Sequence, residues 1–202
     1  MAILKNFVAL EGIDGSGTTT LLNHLQRDLE SRNIPVRCEF EPTEGEIGRL
    51  IRRALNHQYP VKPETLALLF AADRREHLYR PVTGIADQCA KGLVITDRYL
   101  FSSLVYQALD CGWDFVLELN RNFPLPEHLI FLDVSAEVAQ KRIGSRGKEK
   151  EIYEHLDLQE PIIGAYNRVL EYFSGGGMKI HRLDGTRNPE ELAREAAAII
   201  AG

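Results

Sequence analysis

Glu11-Gly12-Ile13-Asp14-Gly15-Ser16-Gly17-Thr18-Thr19-Thr20 follows the apolar run Phe7 to Leu10 and precedes Leu21, Leu22, Leu25 and Leu29, which recur at helical spacing. An apolar run, a glycine-rich turn and a 3.6-residue periodicity predict a strand, loop and helix unit. The glycines let backbone N–H groups converge on phosphate oxygens, and the N-terminus of the following helix adds a favourable dipole. From Gly12 to Thr19 the spacing is that of GxxxxGK[ST], with one departure: Thr18 stands where the motif has lysine. Thr19 falls where the motif's hydroxyl contacts Mg²⁺. Gly12, Ile13, Asp14, Gly15, Ser16, Gly17, Thr18, Thr19 and Thr20 are therefore candidate phosphate-binding residues. GxGxxG is absent, which counts against a dinucleotide site. Taken alone, the motif leaves open a glycine-rich turn that binds another phosphate or nothing.

Outward from this unit, apolar β-rich runs alternate with longer helical patterns. Val36 to Phe40, Leu93 to Thr96, Leu129 to Val134 and Lys179 to Leu183 supply four more strands. Five strands with helical crossovers predict an α/β fold, a five-stranded parallel sheet with helices on both faces. Ser145 to Glu151 is charged, contains Gly147 and lies between helical patterns, so it reads as a surface loop or lid over about residues 144–152. Gly175 to Gly177 ends the helix that begins near Glu154 and turns the chain into the last strand. No repeat or Pro-rich linker divides residues 1–202, so one domain is expected.

Composition narrows the class. With 44% hydrophobic and 26% charged residues, the chain has the material for a packed core. A net charge of −5 argues against a surface that grips nucleic acid along its length, so any phosphate site must be local. Cys38, Cys89 and Cys111 are widely spaced, form no CxxC pair, and read as idle thiols in a reducing compartment. Residues 1–7 carry no secretory pattern, and no apolar run approaches the roughly 18 residues of a membrane span. A cytoplasmic protein without membrane contact is expected.

Four further motifs occur in order. Glu11 to Gly15 opens the loop, Glu41-Pro42-Thr43 follows the second strand, Leu69-Phe70-Ala71-Ala72-Asp73-Arg74 lies on a long helix, and Asp97-Arg98-Tyr99 closes the third strand. Together they resemble the thymidylate kinase family of P-loop nucleoside-monophosphate kinases, from Phe7 to about Ile200, including Tyr153-Glu154 and Gln159 after the lid. The resemblance implies a P-loop NTPase architecture with a short lid, ATP as phosphoryl donor with Mg²⁺, dTMP as acceptor, and a homodimer.

It also implies roles residue by residue. Asp14 would accept from the sugar 3′-hydroxyl and hold the acceptor phosphate in line, and Arg98 would clamp that phosphate with a planar fork of donors. Thr19 would ligate Mg²⁺ and Asp97 would reach it through water. Phe70 would stack on thymine and Arg74, four residues on and so on the same helix face, would hydrogen-bond the base. Tyr106 would crowd a 2′-hydroxyl, while Ser103, Tyr153 and Gln159 would line the base pocket. Arg142 and Arg146 would bring cations to the transferring phosphoryl group, and Arg187 lies in the loop Asp184 to Arg187 that would cup adenine. For the missing lysine's role the candidates are Arg142, Arg146, Lys148 and Lys150, of which Arg146 is chosen here because a guanidinium can bridge two oxygens. A plain reading stands beside each role: Phe70 as core, Arg98 as a salt bridge, Asp14 as a turn residue, the lid as a solvated basic loop. Thr18 keeps two alternatives open, a catalytically weak nucleotide-binding regulator and a kinase of another pyrimidine deoxynucleotide or deoxynucleoside.

Overall fold

The computed structural model describes residues 1–145 and 156–201. The elements run β1 (Ile3–Gly12), α1 (Thr18–Ser31), β2 (Val36–Phe40), α2 (Glu46–Leu55), α3 (Pro63–Tyr79), α4 (Ile85–Cys89), β3 (Leu93–Asp97), α5 (Leu100–Cys111), α6 (Trp113–Asn120), β4 (Leu125–Asp133), α7 (Ala136–Gly144), α8 (Leu156–Phe173), β5 (Lys179–Asp184) and α9 (Pro189–Ala201). All strand pairs are parallel, in the order β2-β3-β1-β4-β5. This is the expected five-stranded parallel sheet.

Side-chain alternation along β1 explains the two helical layers. Phe7 and Ala9 belong to a core shared with Leu66 and Leu78 of α3, Leu104 of α5 and Val169 of α8. Val8 and Leu10 point the other way, into a core with Leu21 and Leu25 of α1 and Leu192 and Ala196 of α9. Burying each such leucine contributes about 1.5–3 kcal/mol, which holds α1 and the loop before it against the sheet.

Four strands differ from expectation at their ends. β1 begins at Ile3 rather than Phe7, β4 at Leu125 rather than Leu129, and β3 and β5 each run one residue further, to Asp97 and Asp184. The added segment of β1 carries the exposed Lys5 and Asn6, and that of β4 carries the buried Leu125 and Pro126. Proline has no N–H for a ladder, and the register between β1 and β4 shifts between Leu4 and Val8, where Pro126 pairs with Leu4. After α8, Gly177 takes φ +81°, so the glycine run turns the chain into β5 as expected. The three cysteines are free, and burial pushes Cys38 up to about 11 and Cys89 to about 12. No helix among the described residues is long and apolar enough to cross a membrane.

Candidate active site

The phosphate loop hangs between β1 and α1, at the carboxyl edge of a central strand, where open parallel sheets place their ligands. Gly15 and Gly17 adopt φ +85° and +103°, the left-handed region that a side chain resists. A Cβ on Gly15 would meet the Ala139 carbonyl oxygen at 2.5 Å, so α7 packs on bare backbone there. Ser16 N–H donates to Ile13 O at 2.9 Å and closes the turn. The buried Ser16 hydroxyl has no partner among the described residues, which leaves a donor beneath the cradle. Thr18, only 6% exposed, is the first residue of α1.

A cleft of about 470 Å³ opens beside the loop, lined by Gly15, Gly17, Thr20, Arg142, Thr186 and Arg187 among others. Arg142 reaches across it: Nη1 donates to Gly15 O at 3.3 Å and Ser16 O at 2.8 Å, and Nη2 to Gly185 O at 2.9 Å. Its guanidinium therefore laces α7, the phosphate loop and the loop after β5 together. Arg187, at the cleft's rim, pairs with Glu195 at 2.6 Å.

At the start of α1, the Thr19 hydroxyl donates to Asp97 Oδ2 at 2.5 Å. That commits its proton and leaves its lone pairs free to serve a cation. Asp97 Oδ1 is buried without a partner among the described residues. A hydroxyl beside an unsatisfied carboxylate oxygen, at the foot of a phosphate cradle, fits a hard cation such as Mg²⁺.

Arg98 sits at the loop's opposite flank with φ +70°, its N–H bonded to Leu10 O at 2.9 Å. Nη2 donates to Asp14 Oδ1 at 2.5 Å, and Nη1 to Gly12 O, the Ser102 hydroxyl and the Tyr166 hydroxyl at 3.1, 3.0 and 3.2 Å. The Tyr106 ring lies 5.3 Å from the guanidinium carbon. Burial opposes the charge on Arg98, but Tyr106, Asp14, Tyr166 and Asp97 together hold its pKa well above the ordinary value. Glu11 lies behind this group, 0% exposed. Its carboxylate accepts from Tyr99 N–H and Ser102 N–H at 2.9 and 3.2 Å, so a β1 side chain caps the N-terminus of α5. It also takes the hydroxyl protons of Ser102 and Tyr166 at 2.7 and 2.9 Å. Burial raises the Glu11 pKa, against Arg98 and these donors.

A second cavity, about 120 Å³, extends from Asp14 and Arg98 to Phe70, Arg74, Ser103, Tyr106 and Gln107. Arg74 is 1% exposed and forms its floor. Nε bonds Glu41 Oε2 at 2.9 Å, Nη1 bonds Asn120 Oδ1 at 2.5 Å and Nη2 bonds the Ser103 hydroxyl at 3.1 Å. Tyr99 and Phe123 flank it at 5.3 and 5.8 Å. Gln107 is 4% exposed and its amide oxygen has no partner among the described residues. The cavity thus offers a half-buried ring, a buried fork of donors and an unsatisfied amide, the groups that would recognise the face and edge of a heterocycle.

A family model described as thymidylate kinase matches residues 10–196. The chain belongs to the thymidylate kinase family. It is 46% identical to a putative thymidylate kinase of Treponema pallidum (strain Nichols) over 84% of this chain and 81% of that one. It is 38% identical to a putative thymidylate kinase of Aeropyrum pernix over 93% and 89% of the two chains, and 33% identical to a thymidylate kinase of Leptospira borgpetersenii over 96% and 92%.

Family membership and geometry together sort the expected site residues. Asp14 and Arg98 meet directly, Thr19 and Asp97 meet beside the loop, and Phe70, Arg74, Ser103 and Tyr106 share one cavity. Gln159 is fully buried in α8 and is not among the residues lining that cavity. Arg142 lines the cleft beside the phosphate loop and gives three of its five N–H donors to backbone carbonyls there. Arg146, Tyr153 and the lid beyond Ser145 lie outside the described residues. In the sequence Glu11 and Glu41 stand only as members of motifs, and Gln107, Asn120 and Tyr166 belong to none of them. Gln107 was reachable, since it follows Ser103 by four on one helix and so shares its face. Asn120 and Tyr166 come from elements far away in sequence, and no local pattern marks them.

Proposed function

We propose that the protein transfers the γ-phosphoryl group of ATP to dTMP, giving ADP and dTDP. The observation that carries this reading is the Arg98–Asp14 pair at 2.5 Å, set between the cleft beside the phosphate loop and the cavity floored by Arg74. ATP phosphates would lie on the N–H groups of residues 12–20, with adenine toward residues 184–187. The acceptor phosphate would lie on Arg98, its sugar near Asp14 and its base between Phe70 and Arg74. One N–H of Arg74 Nη1 and the Gln107 amide remain for the base edge.

Phosphoryl transfer between two anions needs alignment, charge neutralisation and exclusion of water, and the acceptor phosphate needs no strong base. Arg98 neutralises and orients the acceptor, and Asp14 fixes the arginine's second nitrogen. Tyr106 fills the space beside the sugar and favours deoxyribose. Thr19 and Asp97 would hold Mg²⁺, which when bound offsets charge on the donor phosphates. Thr18 supplies no charge, and we assign the lysine's missing role to Arg146 of the lid. A homodimer is proposed on family grounds, with light scattering on the purified protein as its test. A panel of acceptors in an ADP-release assay tests the whole reading, including the alternatives of a binding-only homologue and a kinase of another deoxynucleotide or deoxynucleoside.

A further inference from the structure

Beyond Glu41, which lines the base cavity with Arg74, α3 presents His77 to two carboxylates of β2 and the turn after it. Nδ1 lies 3.2 Å from Glu41 Oε1 and Nε2 lies 3.3 Å from Glu39 Oε2. Ionised carboxylates only accept hydrogen bonds, so an imidazole that satisfies both must carry a proton on each nitrogen. Glu41 divides its oxygens cleanly: Oε2 takes Nε and Nη2 of Arg74 at 2.9 and 2.8 Å, and Oε1 takes His77. The Glu41 side chain is 3% exposed and that of His77 8%, so neither charge is dissolved in bulk water.

We propose that His77 is a positioning residue for the acceptor base: as an imidazolium between Glu39 and Glu41, it fixes the carboxylate that aims Arg74 into the cavity. The inference rests on the dTMP kinase reading and names a residue that touches neither substrate. Without the His77 charge, Glu41 Oε1 is left buried with a weaker partner, and the carboxylate that sets the angle of the Arg74 fork is anchored mainly through Oε2. A buried charge-assisted contact is the kind whose loss is felt most.

The groups facing His77 are Glu39 and Glu41, with Arg37 bound to Glu39, Arg74 beyond Glu41, and Glu44, Glu76 and Arg80 around the shallow outer pocket. Burial alone would depress the His77 pKa, but the hydrogen bonds and charges of Glu39 and Glu41 outweigh it and push it up to about 9. The ring is therefore charged at neutral pH. Its contribution is complete below the ordinary histidine value of about 6.5 and is lost as pH rises through about 9.

Steady-state kinetics from pH 6.5 to 10 test this on the wild-type enzyme, His77→Gln and Glu39→Gln. Wild-type turnover of dTMP at pH 7.5 is measured first, because its absence defeats the kinase reading itself. Given turnover, the wild-type KM for dTMP should climb above pH 9 while the KM for ATP stays level. His77→Gln should raise the KM for dTMP about tenfold at pH 7.5, with kcat and ATP KM changed far less, and should flatten the profile. Glu39→Gln, which keeps the ring but removes one carboxylate, should move the rise in KM to lower pH. A His77→Gln enzyme with lowered Tm but a dTMP KM within twofold of wild type would reduce His77 to a structural residue. An unmoved midpoint in Glu39→Gln would equally overturn the proposal, and it decides the matter should His77→Gln not fold.

Discussion

Glu11 reaches Arg98 through two hydroxyls: Ser102 and Tyr166 each donate to its carboxylate, and each accepts from Arg98 Nη1. Because the carboxylate claims both protons, the lone pairs of both oxygens are left facing the guanidinium. Glu11→Gln would force at least one of these bonds to reverse and leave an amide N–H to place among donors. The expected result is a raised KM for dTMP and a Tm lowered by several degrees, since each unmet buried group costs about 1–3 kcal/mol. Tyr166→Phe removes one arm only and should be milder in both. Unchanged Tm and KM in Glu11→Gln would show that the hydroxyls do not depend on the carboxylate.

Arg98→Ala should nearly abolish transfer while leaving ATP affinity largely intact. The guanidinium contacts the edge of the loop only through Gly12 O and Asp14, and the cleft beside residues 15–20 does not include it. Loss of a charge-assisted fork from a desolvated phosphate costs several kcal/mol, or at least 100-fold in dTMP affinity. Calorimetry with dTMP and with ATP separates the two sites, and near-normal dTMP binding would contradict the assignment.

Tyr106→Ala should narrow the preference for dTMP over its ribose counterpart, and Phe70→Ala should weaken every pyrimidine by about 1–3 kcal/mol, the scale of one base on one ring. Phe70 and Tyr106 line the same cavity, and Tyr106 also lies against Arg98 and, edge-on at 6.2 Å, against Tyr166. Tyr106→Phe keeps the ring and should keep the selectivity. Acceptor ratios that do not move in either alanine variant would return both rings to the core.

A histidine pair on the other face of the sheet predicts an acid limit to stability. His128 Nδ1 and His181 Nε2 are 3.2 Å apart with stacked rings, a contact that needs one nitrogen unprotonated. Burial, Lys179 and His181 lower the His128 pKa, and burial and Lys179 lower that of His181. Folding therefore favours the neutral pair, so their contribution is present above about pH 6.5 and is lost as pH falls through the lowered values. Tm should drop between pH 7 and 5, and His181→Gln should reduce that drop. An equal drop in the variant would place the acid sensitivity elsewhere.

The first strand, loop and helix were legible because three signals agreed: a buried apolar run, glycines where φ is positive, and leucines at helical spacing. β4 begins at Leu125, ahead of the apolar run from Leu129 that marks it in sequence, and Pro126 pairs with Leu4 where the register shifts. Asp14, Arg98, Thr19 and Asp97 were legible because they flank strand ends in recognisable motifs. Glu11 was visible in sequence but its task was not, since four donors from β3–α5 and α8 converge on it only in three dimensions. Arg142 stands near the lid as a candidate phosphate cation, and its three carbonyl partners come from loops about 126 and 43 residues away. Chain position carries no sign of such contacts.

Thr18 sets the remaining question. A hydroxyl at a 6% exposed position cannot follow charge as it moves along the phosphates, and a neutral donor is about half as strong as a charged one. If Arg146 supplies the charge, Arg146→Ala should lower kcat far more than it raises the KM for ATP, and Thr18→Lys should restore part of the loss. An orders-of-magnitude gain from Thr18→Lys alone, with Arg146→Ala silent, would contradict the compensation.

ADP release by the wild-type protein under saturating Mg²⁺ and ATP, across dTMP, dUMP, dCMP, the ribose form of TMP and thymidine, tests the central claim most directly. The account predicts turnover with dTMP as the preferred acceptor, weaker use of dUMP, and little with the ribose nucleotide or the nucleoside, which lacks the phosphate that Arg98 would hold. Nucleotide binding without turnover on any acceptor, or a preference for thymidine or dCMP over dTMP, would contradict it.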